Sequence, residues 1–238
     1  MYSKRKGKYS MSGVYIFTGH FGSGKTETAV NFALKLKNSK DGEHRKIALI
    51  DMDIVNPFFR SCDSKAALEK EGIRVEVPLY ANSNVDVPAL TPIMSALIED
   101  ETYDVIIDVG GDDIGAKAVG RYSDIIKLRN YKQFFVVNIR RPFTVNTEAA
   151  VKIFDEIEYT SNIKATAIIN SANMMEETSI EDCLDGYKLA CQLSDLKKIP
   201  IEYHAVTNTI ADELIKKHGD IFTEDNVIRI NRMVKRLF

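Results

Sequence analysis

The sequence is sparing with features that would each have named a class of protein. Its cysteines are Cys62, Cys183 and Cys191, an odd number, and no two form a C-x-x-C pair. A disulfide framework and a structural zinc site are therefore not expected, and a reducing, cytoplasmic setting fits. No apolar run approaches the roughly 20 residues that a membrane-spanning helix needs. Charge of one sign is not in excess: 32 basic against 34 acidic residues leave a formal net charge of −2. That balance provides no general attraction to nucleic acid. Internal repeats, low-complexity segments and a Pro/Gly/Ser-rich linker are all missing. Met1 to Ser10 is basic, but the apolar run that follows, Val14 to Thr18, is too short for a secretory signal. Residues 1–12 are read as a flexible basic tail and 13–238 as one domain. The 238 residues, 45% of them apolar, suffice for a full core.

What is present centres on Gly19-His20-Phe21-Gly22-Ser23-Gly24-Lys25-Thr26. This is Gly, four residues, then Gly-Lys-Thr. An apolar, β-prone run, Val14 to Thr18, precedes it. A helix-patterned run, Ala29 to Leu36, follows it. Strand, glycine loop and helix are the context that gives the motif meaning. Gly19, Gly22 and Gly24 let the backbone turn tightly and bring its N–H groups, Ser23 included, against phosphate oxygens. The start of the helix adds to the attraction. Lys25 reaches the β- and γ-phosphates, and the Thr26 hydroxyl suits Mg²⁺. Glu27, next in the chain, is counted among the nucleotide-binding candidates.

Further along, apolar strands alternate with helices. Strands are expected at 47–50, 73–77, 105–108, 134–138, 165–170 and 199–205. Helices are expected at 64–70, 88–99, 114–129, 147–158, 179–196, 211–218 and 227–238. Several strands are apolar on consecutive positions, which predicts a mostly parallel α/β sheet covered by helices on both faces, a three-layer P-loop NTPase architecture. In such sheets ligands bind at the carboxyl ends of the strands. Those ends carry the Gly19 loop, Asp51 and Asp53, Asp108, Asn138 and Asn170. Asp108 at a strand end fits a second contact to Mg²⁺ through water. Val109-Gly110-Gly111 lets a backbone N–H, that of Gly111, approach a γ-phosphate. Asp51 and Asp53 either reach the same Mg²⁺–phosphate zone or cap the next segment.

Taken together, Gly19 to Thr26, Asp51-x-Asp53 and Asp108-Val-Gly-Gly resemble the MinD/ParA-type P-loop ATPases. That group includes the nitrogenase iron protein, dethiobiotin synthetase and the nucleotide domain of cobyrinic acid amide synthases. The resemblance spans about residues 13–220. It implies ATP and Mg²⁺ as ligands, with Lys25 and Thr26 on phosphate and metal, Asp51 and Asp108 on the metal side, and Asp53 orienting the attacking water. It also implies a homodimer with nucleotide near the interface. Asn170 resembles the adenine-contacting Asn of the family, with Asn173 nearby, and no Asn-Lys-x-Asp element for guanine occurs. One position departs: many of these ATPases carry a second lysine after the first glycine, and here it is His20. An imidazole is a poor substitute for a fixed positive charge.

The functional expectation is an ATP-binding, Mg²⁺-dependent ATPase acting as a nucleotide switch or an assembly or maturation factor. Its partners are ATP/ADP and an unidentified protein or small acidic substrate. An ATP-dependent carboxylate-activating enzyme is the second reading, with the loop at 78–87 and Arg140/Arg141 holding substrate. A membrane-associated positioning ATPase is the third, using 227–238 as a basic amphipathic helix on an anionic surface, against the plainer reading of a helix packed on the sheet. The loop Asn56 to Arg60, with two phenylalanines beside an arginine, suits a partner contact. The three cysteines are read as small buried residues.

Overall fold

The computed structural model describes residues 12–39, 45–53, 62–77, 91–172 and 177–231. Within them the order is β1 (Val14–Thr18), α1 (Lys25–Lys37), β2 (Lys46–Met52), α2 (Cys62–Lys70), β3 (Ile73–Glu76), α3 (Pro92–Glu99), β4 (Tyr103–Val109), α4 (Asp113–Gly120) and α5 (Ser123–Lys127). There follow β5 (Tyr131–Val137), a 3₁₀ turn (Pro142–Thr144), α6 (Thr147–Ser161), β6 (Ala167–Asn170), α7 (Ile180–Lys197), β7 (Ile201–Thr207), α8 (Asn208–Lys217) and β8 (Val227–Ile230).

The strands form one eight-stranded sheet in the order β3-β2-β4-β1-β5-β6-β7-β8, and every pairing is parallel. Consecutive apolar residues are needed because both faces are covered. On β1, Phe17 packs with Val30, Phe32 and Ala33 of α1. Its neighbours Val14 and Ile16 face the opposite way, onto Met94, Leu97 and Ile98 of α3 and Ile126 of α5. Phe135, Val137 and Ile168 meet α6 and α7 on that same side through Ala150, Phe154, Leu189 and Leu193. An aromatic group of Tyr15, Phe17, Phe32, Phe134 and Tyr203 fills the space under α1.

Helix starts follow local chemistry. Asp112 caps α4 by accepting from Gly115 N at 2.9 Å, Asn146 caps α6 through Ala149 N at 2.9 Å, and Ser179 with Asp182 forms a capping box on α7. Pro92 opens α3.

Two expectations are corrected. The single helix over 114–129 is two, α4 and α5. Gly120 lies so close to the end of α6 that a Cβ there would meet Thr160 O at 3.1 Å, and the chain turns at that point. The helix over 227–238 is not one at its start. Val227–Ile230 forms β8, in register with His204–Thr207. Val227, Ile228 and Ile230 are buried in the core, and Arg229 pairs with Asp212 and Glu224 at 2.7 Å each. Asn31 of α1 anchors the strand's exit, donating to Asn231 O at 3.2 Å and accepting from Asn231 N at 3.1 Å. The apolar side of the supposed membrane helix is thus committed to the sheet as far as Ile230. Residues 232–238, and the loops at 54–61 and 78–90, lie outside the described residues, as does Asn173. Among the described residues no helix is long and apolar enough to cross a membrane.

Candidate functional site

The site lies where β1, β4 and β2 end side by side. β1 is flanked by β4 and β5, so whatever follows Thr18 emerges between the ends of both neighbours. The loop from Gly19 needs glycine for two separate reasons. Gly22 and Gly24 sit in the left-handed region, at φ 75° and 91°. Gly19 also passes so near β5 that a Cβ would lie 2.4 Å from Val136 O.

Lys25 opens α1 and is only 6% exposed. Its Nζ curls back over the loop and donates to His20 O at 3.2 Å. Burial pushes the ammonium below its ordinary pKa, against the opposing pull of Asp108, Asp53 and Asp112. Asp108 stands at the end of β4, wholly covered. The Thr26 hydroxyl donates to its Oδ2 at 2.6 Å. Its other oxygen, Oδ1, is buried with no hydrogen-bond partner. Burial pushes this carboxyl up to about 6, the nearby Asp53 pushes the same way, and Lys25 and the Thr26 hydroxyl oppose it. Both shifts have one origin: the two charges are drawn out of water.

Asp51 is fully buried in β2, directly beside Asp108 in the parallel register. Its Oδ1 accepts from Asp53 N at 2.9 Å and shapes the turn that carries Asp53. Strand β2 ends at Met52, so the two carboxylates do not continue along one strand face. The turn after β4 is equally tight. A Cβ at Gly110 would lie 3.5 Å from Asp53 Cα. A Cβ at Gly111 would lie 2.5 Å from Phe21 N and 3.0 Å from Lys25 Nζ. The glycines after Asp108 therefore let β4's loop touch the loop after β1. Glu27 stands in the first turn of α1.

A hydroxyl and an uncommitted carboxylate oxygen, both hard donors, suit Mg²⁺. Thr26 and Asp108 are the residues that would hold it. Among the described residues no group of three His, Cys, Asp or Glu could hold a metal ion unaided, so phosphate and water oxygens would complete the shell.

Asn170 ends β6 and is buried. Its amide donates to Cys183 O at 3.1 Å, with His204 Nδ1 at 3.5 Å, and its Oδ1 has no partner. The tight fit is visible at Gly186 of α7, where a Cβ would meet that oxygen at 2.4 Å. His20 stacks on Phe143, centroids 4.2 Å apart. Cys183 is buried and Cys191 half-buried, both as free thiols. The adjacent arginines of the loop after β5 separate. Arg140 turns to Asp182, Nε–Oδ1 2.6 Å. Arg141 lies on the glycine loop, its Nε donating to Gly22 O at 2.7 Å.

Sequence reasoning missed one neighbour of the loop and gave no role to one of the loop's own residues. The neighbour is Ser171, whose buried, unpartnered Oγ would meet a Cβ at Gly24 at 2.8 Å. Its signal was its place directly after Asn170. The other is Phe21, exposed at the loop's tip. It shares with Asp112, Ile114 and Ile157 an open cleft of about 520 Å³.

No protein-family model matches the chain, and no curated protein matches it. Solved structures do. Chloroplast FtsY from Physcomitrella patens aligns at 15% identity and TM-score 0.52, covering 82% of this chain and 59% of that one. The cell division protein FtsY from Thermotoga maritima aligns at 17% identity and TM-score 0.50, covering 82% and 62%. A structure of FlhF complexed with GTP and Mg²⁺ aligns more loosely, at TM-score 0.45 and 18% identity, covering 82% and 66%. The chain thus spans about three fifths of the length of the FtsY chains it matches. At these identities the likeness concerns the fold alone. The fold is the α/β, P-loop NTPase-like fold of the FtsY structures, an all-parallel sheet between helical layers.

Proposed function

We propose that this chain binds ATP with Mg²⁺, hydrolyses it, and acts as a nucleotide switch or an assembly or maturation factor. The observation that carries the reading is the 2.6 Å contact of Thr26 with Asp108, beside the buried ammonium of Lys25. A lysine and a carboxylate are costly to bury unless something is gained from the pair. A phosphate with its Mg²⁺ is a ligand that uses both. In this reading the amides of Gly19 to Thr26 hold the phosphates and Lys25 neutralises their charge. Thr26 and Asp108 hold the metal, which when bound draws charge from the phosphate oxygens. Asp53 orients the attacking water, Gly111 approaches the γ-phosphate, and Asn170 is assigned to the base by its resemblance alone, since its amide is held on Cys183 O.

ATP is favoured over GTP by the absence of an Asn-Lys-x-Asp element and by the resemblance of Asn170 to the adenine-contacting residue. The MinD/ParA-type assignment rests on those same motifs. Exposed Phe21, Ile114 and Phe143 beside the loop support a homodimer or a protein partner meeting the nucleotide face. The balanced charge supports no nucleic-acid partner, and the reading is of a cytoplasmic protein.

Titration calorimetry with Mg·ATP and Mg·GTP, together with phosphate release, tests this. Binding of ATP that Lys25→Ala removes, and turnover that Asp53→Ala removes without loss of binding, are the expected results. Binding undiminished in Lys25→Ala would end the proposal, and a preference for GTP would end its choice of base.

A further inference from the structure

Arg141 is held in place by backbone geometry. The loop after β5 folds back on Asn138: Arg140 N donates to Asn138 Oδ1 at 2.9 Å and Arg141 N to Asn138 O at 3.1 Å. The buried Thr144 hydroxyl donates to the same Asn138 O at 2.6 Å, and Thr144 N donates to Arg141 O at 3.0 Å. Pro142 stiffens the turn between them.

From this clamp the Arg141 side chain crosses to the glycine loop. Its Nε donates to Gly22 O at 2.7 Å, and a Cβ on Gly22 would lie 3.2 Å from that nitrogen. A guanidinium has five N–H donors in a fixed fork. One is used on Gly22, and the four on the terminal nitrogens have no protein partner among the described residues. Nor does Arg141 make an ion pair there, whereas Arg140, one residue before, is drawn to Asp182 and Asp185.

Asp108, Asp53 and Asp112 all act on the single ammonium of Lys25. A triphosphate brings several more negative charges to the same edge. The ring of His20 is stacked on Phe143. Lys25 Nζ rests on His20 O, which marks the end of the cradle where the outer phosphates lie. Gly22 is two residues away. A planar fork anchored by one donor, with the others at the rim, suits phosphate oxygens.

We propose that Arg141 is a second phosphate-binding cation, reaching the outermost phosphate from the β5 side of the same chain. This rests on the reading of Gly19–Thr26 as a nucleotide site.

The test is calorimetry on the full chain with a non-hydrolysable ATP analogue plus Mg²⁺ and, separately, with ADP. The variants are Arg141→Ala, Arg141→Lys and, as control, Lys25→Ala, with thermal unfolding of each ligand-free protein. Arg141→Ala is expected to weaken the triphosphate analogue about 10–100-fold, the size of a lost charge-assisted hydrogen bond. ADP should weaken less than about threefold, with ligand-free Tm unchanged. Arg141→Lys should recover part of the triphosphate affinity. Equal losses for both nucleotides would make Arg141 a mere prop of the loop, and no loss would remove it altogether; either overturns the proposal. If Arg141→Ala is silent while Lys25→Ala abolishes binding, only Arg141's role fails. If Lys25→Ala binds normally, the nucleotide site itself is wrong.

Discussion

Replacing Asp108 by Asn separates the stability of the ligand-free protein from its function. Asp108 is buried, and burial raises its carboxyl to about 6 from an ordinary 3.8. The folded chain therefore holds that proton more tightly than the unfolded chain. Between those two values stability rises as the pH falls, and above about 6 the ionised carboxylate costs stability. The gap corresponds to at most about 3 kcal/mol at neutral pH. A neutral amide at this position would avoid that cost, accept from the Thr26 hydroxyl through its oxygen, and keep the shape. The opposing pull of Lys25 is already contained in that shift. The net expectation is that Asp108→Asn gains about 1–2 kcal/mol at pH 7.5, since removing a buried, imperfectly compensated charge is often stabilising. Urea unfolding of nucleotide- and metal-free protein at pH 7.5, 6 and 4 reads it directly. The gain should shrink on acidification and vanish near pH 4. With nucleotide the order should reverse. A wild-type protein at a hundred times its Kd gains about 2.7 kcal/mol from ligand, and the variant should lose most of the Mg²⁺-dependent part. A variant less stable than wild type at pH 7.5, or a gain indifferent to pH, would refute the reasoning.

Other perturbations follow from the packing. Gly111→Ala places a methyl 2.5 Å from Phe21 N, a backbone atom that moves only with the whole loop. It should cost about 1–3 kcal/mol in urea unfolding and weaken nucleotide binding in calorimetry. His204 is buried and its pKa is lowered to about 4 from 6.5. The unfolded chain takes up that proton first, so stability falls as the pH drops through this window, by up to about 1.4 kcal/mol per pH unit. His204→Gln should flatten that acid limb in pH-dependent unfolding. Ile228→Ala should lower stability by about 2–5 kcal/mol, because the residue is fully buried in β8. A change below about 0.5 kcal/mol, the size of an ordinary surface substitution, would mean that β8 is not part of the cooperative core.

Some of this protein was legible one residue at a time. The spacing Gly19 to Thr26, the apolar run before it and the helix after it are local. So are the acids that close β2 and β4. Parallel topology then lines up strand ends by rule, which is why Asp51, Asp108 and Asn170 could be placed on one edge before their neighbours were known.

Contacts between distant stretches were decided by the tertiary structure. Val-Ile-Arg-Ile at 227–230 alternates as a strand should, yet the basic and apolar residues that follow extend a helical period just as well. The open edge of β7 and the Asn31 amide settle it as strand, and both lie outside that stretch. Arg140 and Arg141 are chemically alike and adjacent. One is drawn to an acid 42 residues later, and the other to a loop carbonyl 119 residues earlier. In the sequence Gly111 offers room for a phosphate, but the room is also needed for Phe21, far back in the chain. Periodicity and motif spacing encode what the backbone does with its own neighbours. They do not encode which side chain a loop meets after the sheet has closed, because that depends on strand order.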